Sequence, residues 1–114
     1  MSEPEDVIAW VDFMRVQLCA GTVLRVEPFP EARKPTWKVW VDFGPHGVKK
    51  TSAQIRSLYA PEDLVGRQIV GVINFPPKQI GPFVSDFLLT GFPTDEGVVV
   101  TTIERPVPDG TRMA

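Results

Sequence analysis

YAPEDLVGRQIVGVIN, residues 59–74, is the stretch on which the fold turns. Pro61 stands early, where a helix tolerates a proline, and Gly66 stands where a helix ends. The spacing predicts a short helix over APEDLVG, followed at once by a strand over RQIVGVIN. That strand has to stop at NFPPK, because Pro76 and Pro77 have no backbone N–H for a sheet ladder. The continuation to Phe83, INFPPKQIGPF, reads as unstructured but is far from polar. It looks shaped to present Asn74 and Lys78, with the two prolines holding an extended exit that lowers the entropy cost.

Upstream, TWKVWVDFG (36–44) is the clearest strand. Trp37, Val39, Val41 and Phe43 point one way, and Lys38, Trp40 and Asp42 the other. GTVLRVEPF (21–29) reads as the first strand and PEARKP as a loop. GPHG is a turn, and VKKTSAQI (48–55) is a third strand. Downstream, VSDFLLTG (84–91) is a fifth strand, and GVVVTTIERP adds a last one before a frayed end. A mostly β chain of five strands, with a short helix between the third and fourth, matches the five-stranded OB-fold barrel. A sandwich is the competing arrangement, and the helix position favours the barrel. At the N-terminus, Ser2-Glu3-Pro4-Glu5 fits a capping box. Val7, Ile8, Val11 and Met14 recur at helical spacing, with Trp10 beside them, so an amphipathic helix is predicted over 4–14.

The 114 residues suit one domain, 1–114, with short terminal extensions serving dimerisation. Twelve prolines and nine glycines fit a loop-rich β domain better than a helical bundle. Cys19 is the lone cysteine, which rules out an internal disulfide and fits a reducing cytoplasm. No apolar run approaches the ~18 residues of a membrane span. The acidic opening MSEPEDVIAW is unlike a secretory signal. Charge is segregated along the chain. Residues 33–78 carry eight basic against three acidic residues, a balance of +5, and the remainder carries four against eleven, or −7. A basic middle can attract phosphate if folding keeps it together.

Catalysis finds little support. With one histidine and one cysteine no soft-ligand metal set can be assembled, and no nucleophile, base and orienter can be named together. There is no phosphate loop. His46 reads as an exposed turn residue and Cys19 as a small buried apolar group. No enzyme, cofactor or metal is expected.

The residues themselves suggest binding. The Asn74 amide both donates and accepts, so it can pin its loop or meet a ribose or base edge. Lys34, Lys49, Lys50 and Lys78 lie on loops or strand ends and suit sequence-blind phosphate contacts. Trp40 shares a face with Lys38, either as a stacking platform or covered by the N-terminal helix or a second subunit. Phe75, Phe83 and Phe92 flank loops and can line a groove for extended apolar peptide, with core packing the alternative, preferred for Phe92. Val7, Ile8, Trp10 and Val11, with Val98, Val99, Val100 and Ile103, are more apolar surface than a small barrel buries, so they are expected at a homodimer interface.

Four stretches in order carry a family resemblance: FPEARK (29–34), VDFG with VKKTSAQI (41–55), YAPEDLVGRQIVGVINFPPKQI (59–80) and FVSDFLLTG (83–91). Together they resemble the tRNA-binding domain family, from Asp12 to Gly91. Its members include C-terminal domains of some methionyl-tRNA synthetases, free-standing tRNA-binding proteins and small export-related chaperones. The resemblance implies an OB-fold core, a homodimer, a tRNA-binding surface, and binding of unfolded or precursor polypeptides in connection with the export machinery. It assigns functional positions to Lys34, Asn74, Lys78 and Ser85. There are departures. Phe29-Pro30 replaces a His-Pro turn. Ser85-Asp86-Phe87-Leu88 lacks the Gly-Met of synthetase-type members. Leu18-Cys19-Ala20-Gly21 lacks the usual arginine. These shift weight from a dedicated tRNA-binding protein towards the chaperone branch.

Overall fold

The structure, a computed structural model, describes residues 6–114. Its centre is an antiparallel sheet of five strands in the order β3-β2-β1-β4-β7. The strands are β1 (Leu18–Pro28), β2 (Trp37–Asp42), β3 (Val48–Ala53), β4 (Gln68–Val72) and β7 (Leu88–Leu89). A 3₁₀ turn, Gly44–His46, joins β2 to β3, and helix α2 (Pro61–Leu64) lies between β3 and β4. This is the predicted five-stranded barrel, nearly closed. Two hairpins are added: β5 (Lys78–Ile80) with β6 (Phe83–Ser85), and β8 (Gly91–Thr94) with β9 (Gly97–Val100).

Alternation in β2 fills the barrel. Trp37, Val39 and Val41 are buried while Lys38, Trp40 and Asp42 are only partly so. Phe43 and Phe87 stack edge to face at 5.0 Å in the core. Their rings pack onto Gly71, where a Cβ would come within 2.8 Å of both. A side chain there would overpack the barrel. The Trp37 indole N–H donates to the Tyr59 carbonyl at 2.7 Å, which removes the cost of burying it. Cys19 is fully buried. Burial pushes its thiol pKa up, against the opposing pull of the Arg112 charge.

Several expectations are corrected. β1 starts at Leu18, three residues early, because Cys19 and Ala20 supply buried positions opposite β4. The helix at the N-terminus is short, Trp10–Met14, and Asp12 caps it by accepting from the Ala9 N–H at 3.0 Å. Val7 and Ile8 precede it, and the Ser2-Glu3-Pro4-Glu5 box lies outside the described residues. The segment after Pro77 is a hairpin rather than unstructured, its turn made possible by Gly81 at φ 57°. Phe92 is 64% exposed rather than in the core.

The C-terminal stretch is not frayed. Thr102 bridges to Ile69, and the Val107 N–H and carbonyl both bond the Gln68 side chain. Thr22 donates to the Asp109 carboxylate at 2.6 Å. Ala20 N–H then donates to the Thr111 carbonyl, Gly110 N–H to the Ala20 carbonyl and Met113 N–H to the Leu18 carbonyl. The tail thus runs along the part of β1 that β2 leaves unpaired.

Candidate binding groove

The sheet order leaves one seam, between β3 and β7. A single main-chain bond crosses near it, from Asp86 N–H to the Lys50 carbonyl at 2.7 Å. The Asp86 carboxylate returns a long contact, 3.4 Å, to Lys50 N–H. Beside these, the Thr51 and Ser85 hydroxyls meet at 2.7 Å. Beyond this clasp the seam widens into a groove of about 1020 Å³. Its walls are the loop 31–36 and the β5–β6 hairpin, and its floor includes Ile55, Phe87, Leu89 and Val98.

The rim is cationic. Arg33, Lys34 and Lys78 face Glu31 alone among charged lining residues. Among the described residues the ion pairs are Arg25–Glu27 and Glu104–Arg105, so the rim cations are uncommitted. Phe75, 53% exposed, stands at the groove with Pro76 and Pro77.

The structure brings Lys34, Lys78, Phe75 and Ser85 together and separates the other predicted site residues. Ser85 lies in the wall, buried, its hydroxyl engaged by Thr51 and by the Phe87 carbonyl. Asn74 is pinned: it accepts from Gln17 N–H at 2.9 Å and donates to the Arg15 carbonyl at 2.7 Å. It ties the connection between the Trp10–Met14 helix and β1 to the end of β4 rather than capping its own loop. Phe83 is buried away from the groove, against Phe29 and Trp40. Lys50 stands opposite Trp40 on the outer face, while Lys49 stands opposite Val41.

That outer face forms a second cluster. Lys38 and Lys50 each place a charge about 5.4 Å from the Phe83 ring centroid. The Arg25 guanidinium lies 3.9 Å from that of Trp40. Trp40 is therefore covered, but by Arg25 and Phe83 rather than by the N-terminal helix. Val100 is buried in the core, and Val98, half-buried, packs against the core from the groove floor; Val99 is the exposed neighbour. Val7, Ile8, Trp10 and Val11 are all more than 60% exposed. Arg33, Ser52 and Gln54 were missed as site residues, because only the seam makes them line a groove.

A groove between the β1–β2 loop and the β4–β7 connection is the usual ligand position of an OB barrel. The model of the family described as "Putative tRNA binding domain" matches residues 18–112. The chain belongs to this tRNA-binding domain family. It is 35% identical over 109 residues to the methionine–tRNA ligase of Rhodopirellula baltica, covering 95% of this chain but 16% of the ligase. The chain thus spans about one-sixth of that relative's length. Among solved structures, the chaperone CsaA of Bacillus anthracis is 42% identical, with a TM-score of 0.89 over 96% of this chain and 100% of CsaA. The CsaA chaperone protein of Picrophilus torridus is 36% identical, with a TM-score of 0.88 over 95% of this chain and 100% of that one. The family and these neighbours point to a non-catalytic domain. Among the described residues no group of three or more His, Cys, Asp or Glu is placed to hold a metal, and no helix is long and apolar enough to cross a membrane.

Proposed function

We propose that this chain is a CsaA-type chaperone, a cytoplasmic homodimer that binds unfolded or precursor polypeptides in the seam groove and serves protein export. The observation that carries this is the groove itself, an apolar floor beneath a rim of uncommitted cations. With Phe75 as the one exposed aromatic ring among the described lining residues, such a lining suits an extended chain with apolar side chains better than a nucleobase ladder, which would need several. Full-length similarity to CsaA supports the same reading. The apolar segment Val7, Ile8, Trp10 and Val11 is the proposed dimer surface. The protein should suppress aggregation of a chemically denatured protein, with little loss as salt is raised. Unchanged aggregation at stoichiometric chaperone would reject the chaperone role. Sedimentation should give a dimer, and Trp10→Glu a monomer; a wild-type monomer would reject the dimer.

A second reading, tRNA binding, is favoured by the family match and by Lys38 and Lys50 on the outer face. Fluorescence anisotropy with tRNA across a salt series tests it. Phosphate-driven binding loses affinity steeply with salt and weakens in Lys38→Ala and Lys50→Ala. Absence of binding at low salt would remove this reading.

A further inference from the structure

We infer that the seam edge at the end of β3, at Ser52 and running on to Gln54 just beyond it, is a strand-addition site, and that a bound polypeptide segment lies there as an extra strand. The inference rests on the polypeptide-binding reading and deepens it. Lys50 directs both its N–H and its carbonyl across the seam, to Asp86. Backbone groups two residues apart along a strand point the same way, so those of Ser52 also face the seam, and Gln54 follows in the bend just past the end of β3. Among the described residues no main-chain hydrogen bond reaches either of them from across the seam. The Ser52 carbonyl has only a long contact, 3.4 Å, from the Thr51 hydroxyl. Both residues line the groove, and the exposed Leu88 of β7 lines it from the other side. An unpaired edge beside an apolar floor is the surface on which an extended chain gains main-chain bonds and alternate side-chain contacts.

The molecule already uses this device within itself. Residues 110–113 add to the free part of β1 through bonds to Leu18 and Ala20. At β3 nothing in the described residues does the same. The occupant is identified by charge complementarity. Arg33, Lys34 and Lys78 outnumber Glu31 on the rim, so the segment carries acidic residues among apolar ones. At a rise of about 3.3 Å per residue, every second side chain meets the floor and the others meet the rim.

The test uses the full chain and a fluorescein-labelled peptide of about ten residues alternating valine and glutamate, N-methylated at one position at a time. Reduced, carboxymethylated α-lactalbumin is run in parallel as a general unfolded chain. Strand addition predicts that N-methylation weakens Kd about tenfold or more at alternate positions and little between them. The amide resonances of Ser52 and Gln54 should also shift on peptide binding. Peptide and lactalbumin binding without that alternation would overturn strand addition and leave the polypeptide reading standing. Failure of both to bind would overturn the two together. Shifts of these amides with tRNA but not with peptide would assign the groove to RNA and overturn the proposal.

Discussion

Two strand edges of this barrel meet different fates. The N-terminal part of β1 is paired with β4 on one side and is left free by β2 on the other, where the tail fills it. The far part of β3 is paired with β2 and left free on its seam side. Side chains around the first edge lock the filling strand, with Gln68 and Thr22 reaching Val107 and Asp109. Side chains around the second are apolar below and cationic above. An unpaired edge is a liability unless it is covered or used. The difference teaches that the chain has the means to close an edge and keeps one open beside a shaped groove.

The largest expected effect comes from opening the closed edge. Truncation after residue 106 removes the Gln68, Thr22, Ala20 and Leu18 bonds together. It should cost about 3–6 kcal/mol, at roughly 0.5–1 kcal/mol per bond, read by urea denaturation. A loss below about 1 kcal/mol would mean the tail is decoration and the two edges are alike. Reversing the rim charge by Lys34→Glu with Lys78→Glu comes next. It should weaken the acidic peptide about tenfold with little change in melting temperature, since both side chains are exposed and unpaired. Equal affinity would show that the rim does not select the occupant.

Asn74→Ala should cost about 1 kcal/mol and speed amide exchange at Gln17, whose N–H it holds. Exchange unchanged there would deny the pinning role. The smallest effect is at Cys19, beside the tail at Arg112. Its thiol is raised in the folded protein, so folded and unfolded states bind protons alike below the ordinary thiol range. As pH rises through that range, the unfolded chain ionises first and stability falls. A Cys19→Ala variant should show a flatter alkaline limb, and an identical limb would remove the assignment. In the intact protein the thiol should resist alkylation, and in the tail truncation it should react.

Much of the barrel was legible because local signals agreed. The alternation of β2, the proline-to-glycine frame of α2 and the apolar run of β4 each name their element without help from tertiary contacts. Failures fell where partners decide. The β5–β6 hairpin hides behind two prolines, and only Gly81 hints at it. The tail has no periodicity, because its bonds are made by Gln68 and Thr22 from distant strands. For the groove, loop positions made Lys34, Lys78 and Phe75 readable. Phe83 and Val100 misled, since apolar residues look alike in sequence whether they face a groove, a partner or the core. Ser52 and Gln54 were invisible, because an open edge is a property of which strands pair.

The most direct test of the two-edge account is residue-resolved amide exchange of the free protein, repeated with the valine–glutamate peptide. The account predicts slow exchange at Ala20 and Met113, where the tail is paired. It predicts fast exchange at Ser52 and Gln54, slowing when peptide is added. Slow exchange at Ser52 and Gln54 in the free protein would show that the seam is already closed and would contradict the account.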